Sequence, residues 1–231
     1  MSGRGGGGAR GGGRSLGGRT RLKSRRGRSV SSARWLERHL NDPYVKRAQL
    51  EGWRARAAFK LIELDERFGL LKDVDRVVDL GAAPGSWSQV LLERRPKATV
   101  VGIDLLEVEP MAGLTFVQGD FLEDGMDEKL IALMGGPADL VMSDMAANTV
   151  GHPQTDHLRT MALVEAAADF AVRFLRPGGT FVAKVLGGGA EGPLVAELKR
   201  RFDSVRHAKP PASRKESSET YLVAMGRKAD G

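Results

Sequence analysis

Val77-Val78-Asp79-Leu80-Gly81-Ala82-Ala83-Pro84-Gly85-Ser86-Trp87 is an apolar run that stops in small residues and restarts as a helical pattern. Such a run reads as a buried strand turning tightly into a helix, and small residues at the turn let backbone approach a ligand closely. The dinucleotide fingerprint Gly-x-Gly-x-x-Gly is absent, and Pro84 and Trp87 would crowd a pyrophosphate. A small zwitterion, such as the methionine part of S-adenosylmethionine, suits the loop better. A plain strand-to-helix turn without a ligand is the alternative.

Outward from this loop the chain alternates strand-like and helical segments. Apolar runs at 76–80, 99–105, 114–118, 138–143, 179–185 and 220–225 read as strands, with a weaker one near 204–208. Helical patterns fall near 86–95, 125–134, 155–175 and 192–202. Strands separated by helices imply right-handed crossovers and a doubly wound, mostly parallel sheet with helices on both faces. The last two strands are joined by a loop, so one of the seven is expected to run antiparallel. Residues 31–71 are helical in pattern, with Ala57, Ala58, Leu61, Ile62, Leu64 and Phe68 on one stripe. Trp53, Arg54, Arg56 and Lys60 mark the start of that last helix.

The 231 residues hold 36 Lys plus Arg against 29 Asp plus Glu, a net charge of +7. Residues 1–29 carry eight Arg, one Lys and no acid, and 11 of the 30 glycines. Residues 61–231 hold 20 bases and 26 acids, so the body is mildly acidic and the arm basic. Gly-rich charged sequence cannot bury enough apolar surface to offset ordering. Residues 1–29 are therefore expected to be a disordered RNA-contacting arm, with a solubilising tail as the plainer reading. Residues 30–231 are expected to form a single catalytic domain, with the helices of 30–71 on its RNA face. With no cysteine, disulfides, thiolate metal sites and a cysteine nucleophile are excluded. No apolar run approaches membrane-spanning length and no secretory pattern precedes the domain, so a soluble cytoplasmic protein with a polyanionic partner is expected. The four histidines are dispersed, and no metal site is expected.

Ligands of doubly wound sheets bind beyond the carboxyl ends of the strands. There the sequence places Asp104, able to take ribose hydroxyls, and Asp120, able to accept from an adenine amine. Asp120 reads equally well as a cap before the following helix. Asp144 ends the fourth strand, and Lys184 lies inside the apolar run 180–186. A lysine in a buried strand needs a partner. Lys60 stands on an otherwise apolar helix, and Glu219 directly precedes the last strand.

Lys60, Asp144, Lys184 and Glu219 resemble, in order and context, the Lys-Asp-Lys-Glu tetrad of RNA ribose 2′-O-methyltransferases. More narrowly, the chain resembles the bacterial FtsJ/RrmJ family across about 35–228. The matching stretches are 56–61, 79–89, 104–106, 118–121, 143–148, 184–189, 209–214 and 219–221. Departures are small: Ser86 stands for a usual glycine, Ala147 for a proline and Ser218 for a basic residue.

The resemblance implies a Rossmann-like methyltransferase fold and S-adenosylmethionine as cofactor, held by Gly81, Gly85, Trp87, Asp104, Asp120 and Asp144. It implies 2′-O-methylation of a uridine ribose in 23S ribosomal RNA of the large subunit, with Lys184 as proton acceptor; no obligate protein partner is evident, and a monomer is expected. A lysine must be neutral to act so, and burial and a neighbouring cation both favour the neutral amine. Asp144 would orient Lys184, and Glu219 would hold Lys60. Arg34, Arg38, Lys46, Arg47, Arg54, Arg56, Arg214 and Lys215 are expected to form a positive rim, with Trp53 for stacking. The competing readings are methylation of transfer RNA or a cap ribose, a non-catalytic ribosome-assembly module and a nicotinamide-dependent oxidoreductase. The last leaves Lys184 and Glu219 without a role.

Overall fold

The structure, a computed structural model, describes residues 40–147, 152–186 and 192–229. The Gly/Arg arm, Arg34, Arg38, His39, Asn148 and the glycines at 187–189 lie outside the described residues. The chain divides into two compact units between Lys46 and Arg47. In the first unit, Asp42 accepts a hydrogen bond from the Tyr44 N–H at 3.0 Å at the start of helix α1 (Pro43–Glu51), which has proline at its first position and whose residues from Arg47 on belong to the second unit.

The second unit holds α2 (Ala57–Phe68), β1 (Arg76–Leu80), α3 (Ser86–Arg94), β2 (Thr99–Asp104), β3 (Leu114–Gln118), α4 (Met126–Met134) and β4 (Ala138–Ser143). It continues through α5 (Pro153–Phe174), β5 (Leu175–Leu186), α6 (Gly192–Arg201), β6 (Phe202–Ala208) and β7 (Glu219–Arg227). The seven strands lie in the order β3-β2-β1-β4-β5-β7-β6. Six strands share one direction, and β7, antiparallel to both β5 and β6, is the reversed one. The architecture is the doubly wound, mostly parallel sheet expected from the segment order, and the Rossmann-like fold that the resemblance implies.

Strand periodicity divides the core between the two faces. Val77, Val100, Leu140, Met142, Val182 and Val223 pack against α2 and α3 through Leu61, Leu64, Val90 and Leu91. Val78, Leu80, Val101, Ile103, Val141, Phe181 and Ala224 pack against α4, α5 and α6. Burial on both sides is why these strands read as continuous apolar runs rather than alternating ones. β5 begins four residues earlier than its apolar run, because Leu175 pairs with Ala138 before a register shift that brings Thr180 opposite Leu140. Trp53, Arg54 and Arg56 precede α2 rather than opening it.

Strand order reverses between β1 and β4, so the crevice at their carboxyl ends is the switch point. Its mouth is kept narrow by close backbone packing. The Asp144 N–H donates to the Leu80 carbonyl at 3.2 Å, and Gly81 lies in the left-handed region at φ +78°. A Cβ on Gly81 would meet the Met145 side chain at 2.7 Å.

Candidate active site

The tetrad residues come from four separate elements. β4 ends at Ser143 and delivers Asp144; β5 carries Lys184, β7 opens with Glu219 and α2 supplies Lys60. Register sets Ala183 beside both Ser143 and Leu222, which brings Asp144, Lys184 and the β7 side chains to one end of the sheet. Lys60 Nζ reaches the two Glu219 oxygens at 2.9 and 3.0 Å and Asp144 Oδ2 at 3.8 Å. Lys184 Nζ lies 3.2 Å from Asp144 Oδ1 and also donates to the Asp144 main-chain carbonyl. The four side chains are 9–18% exposed, mostly withdrawn from water yet reachable from the crevice.

Two ammonium and two carboxylate groups therefore share one cluster of zero net formal charge. Removing a single member would leave a buried charge uncompensated, which costs about 3–5 kcal/mol. Burial raises the Asp144 carboxyl, but the ammonium groups of Lys184 and Lys60 and the Tyr221 hydroxyl outweigh it and leave it below its ordinary value.

Tyr221 was not assigned a role by its sequence context, yet it lies at the centre. Its hydroxyl donates to Asp144 Oδ1 at 2.7 Å, and its ring is fully buried 5.7 Å from Trp87. Burial, then the charges of Asp144 and Glu219, push the phenol well above its ordinary range, so it is a proton donor to Asp144. The signal was present: Tyr221 follows Glu219 by two positions in a strand and so shares its face.

The expected cofactor residues surround the crevice unevenly. Gly85 is the left-handed N-cap of α3 at φ +94°, and a Cβ there would meet Arg54 Nη1 at 3.0 Å and Val108 at 3.1 Å. Asp104 accepts from the Ala83 N–H at 3.0 Å and the Leu106 N–H at 2.9 Å, tying the loops after β1 and β2 together. Asp120 accepts from the Leu122 N–H at 2.9 Å in a local turn, while the N-cap of α4 is Gly125. The Trp87 ring points into the core and donates to the Ala57 carbonyl at 2.9 Å, so only its main chain remains for a ligand.

Asp79, at the end of β1, is the acid that sequence reading passed over. It accepts from the Ser88 hydroxyl at 2.6 Å through Oδ2, while the buried Oδ1 has no partner. Burial, opposed by Ser88 and aided by the charges of Asp144 and Asp104, pushes its carboxyl up to about 7.

The expected positive rim is only partly presented to solvent. Arg54 donates to the carbonyls of Pro84 at 3.1 Å, Glu109 at 2.8 Å and Pro110 at 3.0 Å, and its N–H bonds Gln89. Arg56 donates to the Ala212 carbonyl, and Arg47 bonds Glu51 at 2.6 Å while its guanidinium lies over the Phe59 ring. A guanidinium fork matches converging carbonyls, and here it fastens the loops beside the crevice. Trp53 is half-buried and donates to Glu51 at 3.0 Å. Lys215 is exposed, in the loop before Glu219.

With this geometry in place, comparison with known proteins identifies the lineage. The FtsJ-like methyltransferase family matches residues 53–227. The chain belongs to that family.

Among curated relatives of this FtsJ-like chain, the protein named ribosomal RNA large subunit methyltransferase E from Novosphingobium aromaticivorans is 64% identical over 208 residues, covering 90% of this chain and 94% of that one. The like-named protein of Sphingopyxis alaskensis is 62% identical over 232 residues, covering 100% and 99%. Among solved structures, a Plasmodium falciparum protein titled a ribosomal RNA methyltransferase aligns with TM-score 0.69 at 33% identity, over 77% of this chain and all of that one. The family fits both the Rossmann-like sheet and the crevice at its switch point. Among the described residues no helix is long and apolar enough to cross a membrane.

Proposed function

We propose that this FtsJ-like methyltransferase transfers a methyl group from S-adenosylmethionine to the 2′-oxygen of a uridine ribose in 23S ribosomal RNA of the large subunit. The observation that carries the reading is the convergence of Lys60, Asp144, Lys184 and Glu219 at the switch-point crevice. The names of relatives more than 60% identical over nearly the whole chain support ribosomal RNA as substrate.

The crevice suits a cationic nucleoside. Asp79, Asp104, Asp120 and Asp144 stand at the ends of β1, β2, β3 and β4, an arrangement that attracts a sulfonium and an ammonium and repels a pyrophosphate. Asp104 offers lone pairs to ribose hydroxyls, Asp120 to the adenine amine, and α3 points its N-terminus at the loop 81–85. When bound, the cofactor supplies the methyl group on its sulfonium, the carbon–sulfur electron pair remaining on sulfur as the new oxygen–carbon bond forms.

The protein's part is alignment and proton removal. A ribose hydroxyl is a poor nucleophile at neutral pH, and holding it about 3–3.5 Å from the methyl carbon supplies much of the barrier reduction. Lys184, in its neutral amine form, takes the hydroxyl proton and becomes the ammonium. Asp144, fixed by Tyr221, orients Lys184 from one side and faces Lys60 on the other. Glu219 chelates Lys60 with both oxygens, holding that ammonium where the ribose must lie. The test is methyl transfer from labelled S-adenosylmethionine to large subunits from a strain lacking this gene, followed by mapping. Label at one uridine 2′-oxygen is expected; label on a base, on transfer RNA, or on nothing refutes the reading.

A further inference from the structure

Glu219 has a partner besides Lys60. The Ser213 hydroxyl, itself buried, donates to Glu219 Oε1 at 2.8 Å. Ser213 lies in the loop between β6 and β7, and the residue before it is gripped from both sides. Arg56 donates to the Ala212 carbonyl, and Glu63 Oε2 accepts from the Ala212 N–H at 2.6 Å. Both gripping residues belong to the segment that carries Lys60: Arg56 is the N-cap of α2, and Glu63 lies one turn beyond Lys60. The peptide of Ala212 is thus clamped to α2 at two points, which fixes where Ser213 emerges.

The rest of the loop closes on itself. The Ser213 N–H donates to the Pro210 carbonyl at 2.8 Å, and the Ser217 N–H to the Arg214 carbonyl at 3.1 Å. Lys209 Nζ donates to the main-chain carbonyls of Ser217 and Lys215, the latter at 3.3 Å. The Glu219 N–H donates to Ser217 Oγ at 3.1 Å. Two serines therefore hold Glu219, one by its carboxylate and one by its main chain.

We propose that Ser213 is a positioning residue for the methyl-transfer site, acting through Glu219 on the placement of the Lys60 ammonium, with the Ala212 peptide clamped by Arg56 and Glu63 as its anchor. The inference rests on the function proposed above. A carboxylate holding a lysine with both oxygens could still pivot about its own side-chain torsions. The Ser213 hydroxyl removes that freedom at Oε1, and a hydroxyl supplied by a clamped main chain cannot follow the carboxylate if it swings. Arg214 and Lys215 follow Ser213 directly, so a ribose phosphate contacting that stretch would be referenced to the same clamp.

The test compares Ser213→Ala with Ser213→Thr, which keeps a hydroxyl. Ser213→Ala is expected to lower kcat on large subunits about tenfold, the weight of one hydrogen bond to a charged group, with cofactor affinity unchanged. Ser213→Thr should restore most of the rate. Glu63→Ala should behave as Ser213→Ala, and Glu63→Gln, which retains an acceptor for the Ala212 N–H, should be milder. The NMR resonance of the Lys60 ammonium reads the same placement without turnover and should shift in Ser213→Ala. An unchanged kcat with an unmoved resonance overturns the proposal, as does equal loss in Ser213→Ala and Ser213→Thr accompanied by a lowered melting midpoint. If the wild-type protein methylates no ribosomal RNA, the functional reading fails while the ammonium resonance still decides the role of Ser213.

Discussion

Asp79 offers the sharpest quantitative test of the electrostatics of this crevice. Its carboxyl is pushed up to about 7 from an ordinary 3.8, chiefly because burial penalises the charged form. The folded protein therefore holds this proton more tightly than the unfolded chain does. Below about pH 4 both states are protonated and Asp79 has no effect on the pH dependence. Between about 4 and 7 folding takes up a proton, so stability falls as pH rises, by about 1.4 kcal/mol per unit. Above about 7 the full penalty is present, and a shift of about three units corresponds to about 4 kcal/mol. Asp79→Asn keeps a carbonyl oxygen for the Ser88 hydroxyl at 2.6 Å but cannot ionise.

The assay is urea unfolding of both proteins from pH 5 to 8.5. The stability of Asp79→Asn relative to wild type should climb by about 3 kcal/mol from pH 5 to 8 and then level off. Matching pH slopes for the two proteins would refute the reasoning, because the buried carboxyl would then not be the titrating group. Adding S-adenosylmethionine, a cation, should narrow the difference above pH 7 by stabilising the ionised acid.

The remaining predictions concern function directly. Lys184→Ala should keep cofactor binding and lose turnover by about 10²–10⁴-fold in single-turnover methyl transfer, the usual weight of a general base. Lys184→Arg should fail similarly, because a guanidinium does not deprotonate usefully. Asp104→Asn with Asp120→Asn should weaken S-adenosylmethionine binding in calorimetry while RNA affinity in gel shifts is unchanged. Deleting residues 1–29, which carry a net +9, should lower RNA affinity at low salt and flatten its salt dependence, with cofactor affinity unaffected. Unchanged RNA affinity at low salt would demote the arm to a solubilising tail.

Several expectations that misread the surface share one cause. A sequence shows that Arg54 and Arg56 are charged, but not that loop carbonyls at 2.8–3.1 Å await Arg54 and that Ala212 awaits Arg56. Nor does it show that the Trp87 ring is buried against Tyr221, leaving only its main chain to meet a ligand. Glu63 carries no local signal, and Ser213 none beyond lying in a stretch that resembles the family, since their partners are the folded path of one loop.

What the sequence determined by itself was everything written in neighbouring residues. Period and run length placed the seven strands and the helices between them, and the loop joining β6 to β7 announced the antiparallel strand. The position of Asp104, Asp120, Asp144 and Lys184 at strand ends followed from the same pattern, because a parallel sheet exposes its ligand crevice there. Only the tertiary structure decided how those ends meet. Lys60 and Glu219 are 159 positions apart, and their contact depends on the order in which β5, β7 and α2 close on one another. The register that sets Lys184 opposite Tyr221, the orphaned oxygen of Asp79 and the double grip on Ala212 likewise exist only after closure. The physical reason is that strand and helix periodicity are local steric properties, whereas the charge state and partners of a buried group depend on what the rest of the chain packs around it.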